Sequence, residues 1–210
     1  MFESDEEKQS KWVLQEVIPP RIKQIFASAV YCGLQQAKKL WMENPQLPKN
    51  SRFDAGNQLR FIISYILTEI ADNELTARMS YTETTGNSSP IFYWDSRVKL
   101  QIKMNRKPDC LPKISSNRAS NAQINEPTLF NPDDFTECYV LITYYHKNFE
   151  CSYIQIGIPD AEYKYWLCRD GIKDCIDRAI VENIEKNYCT TLQDDLKEEI
   201  TKQYKLTLNQ

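Results

Sequence analysis

Val98-Lys99-Leu100-Gln101-Ile102-Lys103-Met104-Asn105 decides the fold class. Leu100, Ile102 and Met104 alternate with Lys99, Gln101, Lys103 and Asn105. A period of two belongs to a strand, and it puts the apolar set on a core and the polar set on one open face. Working backwards, Ile91–Trp94 reads as a second strand, joined to the first around Asp95-Ser96-Arg97, and 75–84 as a third, followed by the turn Gly86-Asn87-Ser88. Working forwards, 138–146 and 151–158 are rich in Tyr, Ile and Val and read as a hairpin about a turn from Lys147 to Glu150. Pro159-Asp160 ends that hairpin, 163–168 reads as one more strand, and Asp170-Gly171 as a turn.

The flanks change period. Ile22, Ile25, Phe26, Ala29, Val30, Gly33, Leu34, Ala37, Leu40 and Trp41 recur at three and four, which predicts a helix over 20–43 that starts at Pro19-Pro20 and stops at Asn44-Pro45. After the link 46–50, Ser51-Arg52-Phe53-Asp54 resembles a capping box, and Ala55, Leu59, Ile62, Ile63, Ile66, Leu67 and Ile70 predict a second long helix ending near Asp72-Asn73. A shorter helix is expected over 8–17. Ile172, Cys175, Ile176, Ala179, Ile180 and Ile184 predict a helix, and Thr191-Leu192-Gln193-Asp194 caps a last one with Leu192, Leu196, Ile200 and Tyr204 inward. Residues 106–136 have no period and read as a long packed loop.

The expectation is a single α+β domain over 1–210. Residues 1–74 form an N-terminal helical pair packed on a mainly antiparallel sheet, 75–168 the sheet, and 169–210 one or two C-terminal helices.

Composition narrows the function. The chain has 210 residues, 26 basic and 29 acidic, with a formal net charge of −3 and 41% hydrophobic residues. That supports a core and disfavours a generally basic nucleic-acid coat. Five glycines are few for a glycine-rich nucleotide loop, and neither G-x-x-x-x-G-K-[ST] nor G-x-G-x-x-G occurs. The start, Met1-Phe2-Glu3-Ser4-Asp5, is acidic and unlike a secretory or transit leader. With no apolar run of about 18 residues, the expectation is a cytoplasmic protein without a membrane partner. Seven widely spaced cysteines then read as reduced thiols.

Four constellations could carry chemistry. His146 and Cys151 face each other across the presumed turn, the minimum for an activated thiol, and a zinc site would have to recruit Cys138. Tyr139, Tyr144, Tyr145 and Tyr153 share one hairpin, with Tyr163 and Tyr165 following, and exposed tyrosine near arginine suits a protein-binding surface. Arg97, Lys99, Lys103, Arg106 and Lys107 form a basic strip beside Tyr93 and Trp94, with Lys113 and Arg118 beyond, and could grip a nucleic-acid backbone.

Asp95, Gln101 and Lys103 have the order D…Q-x-K, which resembles the active-site signature of the PD-(D/E)xK nucleases, some of whose restriction-type members carry Gln in place of Glu. The resemblance implies an Mg²⁺ held by Asp95, a Lys103 that orients the attacking water, and a further carboxylate from Glu69 or Glu74. It covers one strand and its approach.

The leading expectation is a protein-interaction module without cofactor or catalytic set, a regulator or inhibitor that occludes a partner, in the style of a phage or mobile element. The Mg²⁺-dependent nuclease is the alternative, and a small nucleotide held under 106–136 a third.

Overall fold

The computed structural model describes residues 4–43, 55–72, 78–82, 90–125 and 137–189, and of 55–58 only the backbone. The fold is α+β, with two long N-terminal helices, a six-stranded mostly antiparallel sheet and a C-terminal helix.

Helix α1 (Asp5–Trp12) opens on a capping box, in which Ser4 Oγ accepts Glu7 N–H at 3.2 Å and Glu7 Oε2 accepts Ser4 N–H at 3.1 Å. It runs into a π-helical turn, Val13–Val17. Helices α2 (Pro20–Glu43) and α3 (Ala55–Asp72) bury the stripes that the spacing marks, from Ile22 to Leu40 with Trp41 half-buried, and from Leu59 to Ile70. They meet at Gly33, where a Cβ would lie 2.4 Å from Ile63 Cγ1, so this crossing requires glycine.

The strands are β1 (Met79–Thr82), β2 (Ile91–Trp94), β3 (Val98–Met104), β4 (Cys138–Lys147), β5 (Glu150–Pro159) and β6 (Trp166–Gly171), side by side in that order. Every neighbouring pair is antiparallel except β3 and β4, which run parallel from Val98↔Cys138 to Met104↔Tyr144. Alternation is the same in both pairings, so the sequence could not tell them apart. Parallel neighbours need a long crossover. Here it contains α4 (Ser116–Ala122) and a 3₁₀ turn, Gln123–Asn125, in place of part of the expected loop.

The helices cover one sheet face. Phe92, Leu100, Ile102, Val140, Ile142, Tyr144, Ile154 and Ile156 are all buried there, and Phe26 stands edge-on to Phe92 at 5.7 Å. Each such apolar side chain is worth about 1.5–3 kcal/mol once out of water.

The opposite face departs from expectation. The polar set of β3 was expected in the open, yet the crossover lies over this side of the sheet. Ala122 packs with Tyr139, Leu141 and Tyr163, with Leu111 and Trp166 at the margin. Gln101, Thr143 and Gln155 are at most 6% exposed. The cover is itself polar, so no apolar pattern announced it.

Helix α5 (Arg178–Asn187) starts later than its periodicity suggested. Lys173–Cys175 is a 3₁₀ turn, and Asp177 is the cap, its Oδ1 accepting Ile180 N–H at 3.1 Å. Buried Ser28 of α2 fixes this start by accepting Asp177 N–H at 3.1 Å. Asp170 and Gly171 belong to β6 rather than to a turn. The expected cap 51–54, turn 86–88, final helix 191–204 and residue Glu74 lie outside the described residues. Among the described residues no helix is long and apolar enough to cross a membrane.

Candidate functional site

The nuclease-like triplet does not assemble. Asp95 and Ser96 both have positive φ, 52° and 58°, between paired Trp94 and Val98 strand ends. Two successive left-handed residues match the twist of an antiparallel hairpin, and Asp tolerates that conformation better than most side chains. Asp95 Oδ2 pairs with Arg97 at 2.8 Å. Lys103 lies five residues beyond Val98, about 17 Å along the strand. Gln101 turns its Oε1 to the Tyr139 hydroxyl, which donates at 2.6 Å between neighbouring strands. Glu69 lies on α3 near Tyr188, on the helical side of the sheet. The strand alternation that groups Gln101 with Lys103 leaves Asp95 at the wrong end.

The basic strip is also divided. Arg97 is held by Asp95, and Lys99 by Glu137 at 2.7 Å. Tyr93 is the register partner of Lys99 and shares its face, whereas Trp94 packs into the helical core. Arg106 and Lys107 are exposed past the other end of β3.

His146 and Cys151 are register partners, as the hairpin reading required. The connecting turn is tighter than expected: Lys147 pairs with Glu150, leaving Asn148 and Phe149 at φ 52° and 63°. His146 Nδ1 accepts Phe149 N–H at 3.2 Å, and the two rings stack at 5.5 Å. Cys151 donates its S–H to the Tyr153 carbonyl at 3.6 Å, and burial pushes its pKa up. Burial pushes that of His146 down. The thiol therefore stays protonated and poorly nucleophilic. Cys138 is eight residues from His146 along β4, about 26 Å away. Among the described residues no three His, Cys, Asp or Glu side chains gather as a metal would need.

The tyrosines sort by face. Tyr139 and Tyr144 are 0% and 2% exposed, which corrects the expectation that either meets a partner. Burial raises the pKa of both phenols. Tyr144 points into the helical core, and Tyr139 lies beneath the crossover. Tyr145 and Tyr153 are half-buried and directly paired across β4 and β5.

Hydrogen bonds fix the crossover's first residues against this pair. Tyr153 Oη donates to Asn105 O at 2.6 Å, Gln155 Nε2 to Pro108 O at 2.8 Å, and Arg169 Nη1 to Pro108 O at 2.7 Å. Arg169 also pairs with Asp109 at 2.6 Å. Asn105 Nδ2 donates to Lys107 O and Cys110 O, each at 2.7 Å. The result is a surface in which Tyr153 is anchored, Tyr145 is paired with it across the strands, and Arg106 and Lys107 are exposed just past the end of β3. Sequence reading named the tyrosines as a protein-binding surface and Arg106 and Lys107 as part of a separate nucleic-acid strip. It missed their junction, because Asn105 and Pro108 act through backbone carbonyls.

No protein-family model, curated protein or solved structure matches this chain.

Proposed function

We propose that this chain is a non-enzymatic intracellular binding protein that occludes the surface of a protein partner. Its interface is the Tyr145–Tyr153 pair with Arg106 and Lys107. The observation that carries the reading is the bond from Tyr153 Oη to Asn105 O, 2.6 Å long, which ties the Tyr153 ring to the cation-bearing turn before any partner arrives. Preorganised aromatic and arginine side chains lose little freedom on binding, and they dominate interface energies.

The test compares the proteins retained from host lysate by the wild-type chain and by Tyr145→Ala and Arg106→Ala. A stoichiometric partner retained by the wild type and lost by both variants, with unchanged melting, is the expected result. A partner held equally by all three would exclude this surface. Mg²⁺- or Mn²⁺-dependent cleavage of DNA or RNA that Lys103→Ala abolishes would establish the nuclease instead.

A further inference from the structure

The β4–β5 turn is held in a costly shape. Asn148 and Phe149 form a two-residue connection between Lys147 and Glu150, and both have positive φ. Asparagine accepts that conformation readily. A bulky aromatic does so rarely, and glycine is the usual second residue of such a turn. Backbone strain at one defined place points to a use for it.

Three contacts hold Phe149 there. Its ring meets Trp41 of α2 edge-on at 5.3 Å and stacks on His146 at 5.5 Å, 14° from parallel. Its N–H donates to His146 Nδ1 at 3.2 Å. His146 stands at the register shift of the hairpin, where Ser152 is the extra residue of β5, and the Tyr145 ring lies 6.3 Å away. A bulge of this kind re-aims the side chains beside it. The imidazole therefore links the turn, the end of α2 and the strand that carries Tyr145.

The bond to Nδ1 requires one protonation state. A nitrogen that accepts carries no proton, so the neutral ring keeps its hydrogen on Nε2. Protonation makes Nδ1 a donor, and two N–H groups then point at each other. Stacking on Phe149 tolerates a cation; the hydrogen bond does not. Among the described residues, Lys147 and Glu150 flank the ring on its own hairpin, and Cys151 faces it across the ladder. The Lys173 charge, from the 3₁₀ turn, reaches Cys151. Helix α2 presents Trp41, while its Lys38 and Glu43 line the cleft toward Glu185 of α5. Burial, rather than any of these charges, lowers the pKa of His146. The turn is therefore closed at neutral pH. Below about pH 6.5 the unfolded chain takes up this proton more readily than the fold, so acid weakens the turn.

We propose that His146 is a pH-dependent latch on the β4–β5 hairpin: the neutral ring holds the turn closed with Phe149 against Trp41, and the protonated ring releases it. Release loosens the hairpin beside Tyr145, so acid weakens partner capture. That consequence alone rests on the interface reading, and the latch stands or falls without it.

The test is an NMR titration of the full chain from about pH 7.5 to about pH 4.5. His146 is the one histidine, so its imidazole signals identify themselves. Nearby chemical shifts follow any new charge. The readouts are instead the protection of the Phe149 amide against exchange and the Trp41–Phe149 ring NOE. Both should be lost with the midpoint of His146, protection by about 10-fold. His146→Asn is the second arm. Asparagine Oδ1 accepts a backbone N–H at every pH, so Phe149 protection should hold through the same range. The proposal is overturned by an imidazole that stays neutral throughout, by protection that survives its titration, or by the same acid loss in His146→Asn. The wild-type readouts decide it even if the variant does not fold. Tyr145→Ala tests the interface separately, so the two failures are distinct.

Discussion

Asn125 closes the end of the β4–β5 ladder on Tyr139. Its Oδ1 accepts the Tyr139 N–H at 2.8 Å, and its Nδ2 donates to the Tyr139 carbonyl at 3.0 Å. The same Nδ2 reaches Pro159 O at 2.9 Å. Counting on two steps from Leu141↔Gly157, past Val140 and Ile158, Tyr139 faces Pro159. Proline has no N–H to give, and the asparagine amide stands in for the missing rung. The crossover is thereby buttoned to the sheet it covers.

Asn125→Ala should therefore cost about 2–3 kcal/mol, because it strands backbone groups rather than merely deleting a side chain. Urea denaturation measures the loss, and hydrogen exchange at the Tyr139 amide should accelerate before that of Leu141. Asn125→Asp keeps the acceptor and loses the donors, so Tyr139 protection should survive better than in Asn125→Ala. Equal stability of wild type and Asn125→Ala would refute the buttoning role.

Ser96→Gly should stabilise the protein. Ser96 occupies φ 58° in the Asp95-Ser96 turn, and glycine adopts that conformation without the steric cost a side chain brings. A gain of about 0.5–1 kcal/mol is expected in chemical denaturation. A loss would show that the Ser96 side chain has a use the turn geometry does not reveal.

Gly33→Ala sets two effects against each other. Alanine favours a helix by about 1 kcal/mol over glycine. The new Cβ, however, would lie 2.4 Å from Ile63 Cγ1, an inner atom of a fully buried side chain. Overpacking of that kind costs about 1–3 kcal/mol, so a net loss is expected. Adding Ile63→Ala should recover part of it, and a strictly additive double mutant would contradict the close crossing of α2 and α3.

Thiol burial gives a pH dependence. Burial, with the Asp170 charge second, pushes the Cys168 thiol up to about 12, and burial, with Glu185 second, pushes Cys189 up to about 11. Cys32 and Cys138 are driven higher still by burial. Unfolded cysteines ionise near pH ~8.5. Above that pH the unfolded chain loses protons that the fold retains, so stability is full below it and falls as pH climbs toward the folded values. Urea midpoints between pH 8 and 10.5 should decline accordingly. Exposed Cys110 should alkylate well before Cys32 at pH 8. A flat midpoint or equal labelling rates would contradict this burial pattern.

Much of the fold was legible because two periods dominate it. Helices α2 and α3 stand where the three-and-four recurrence of Ile, Leu and Phe puts them, and β2, β3, β4 and β5 follow their alternating or apolar runs. Three features were not legible, each for a physical reason. Parallel pairing of β3 with β4 leaves no mark on alternation. Gln101, Thr143 and Gln155 look solvated in sequence, yet they are buried, Gln155 against the Pro108 carbonyl of the covering layer and Gln101 against the Tyr139 hydroxyl. The late start of α5 depends on Ser28, 149 residues away, and no local window contains it. For the candidate site, residue type pointed to Tyr145 and Tyr153 but equally to Tyr139 and Tyr144, since four tyrosines on one hairpin cannot all face outward. Asp95 was separated from Lys103 by strand length, which a motif written as residue order does not encode.

The central claim is that the Tyr145 surface meets a protein partner. The most direct measurement replaces Tyr145 with a photo-crosslinking phenylalanine analogue, places the same group at exposed Met42 as a control, and irradiates each in host lysate. The account predicts one discrete crosslinked protein from position 145, absent from position 42 and competed away by unlabelled wild type. Identical adducts from both positions, or none from 145 while the chain remains folded, would contradict it.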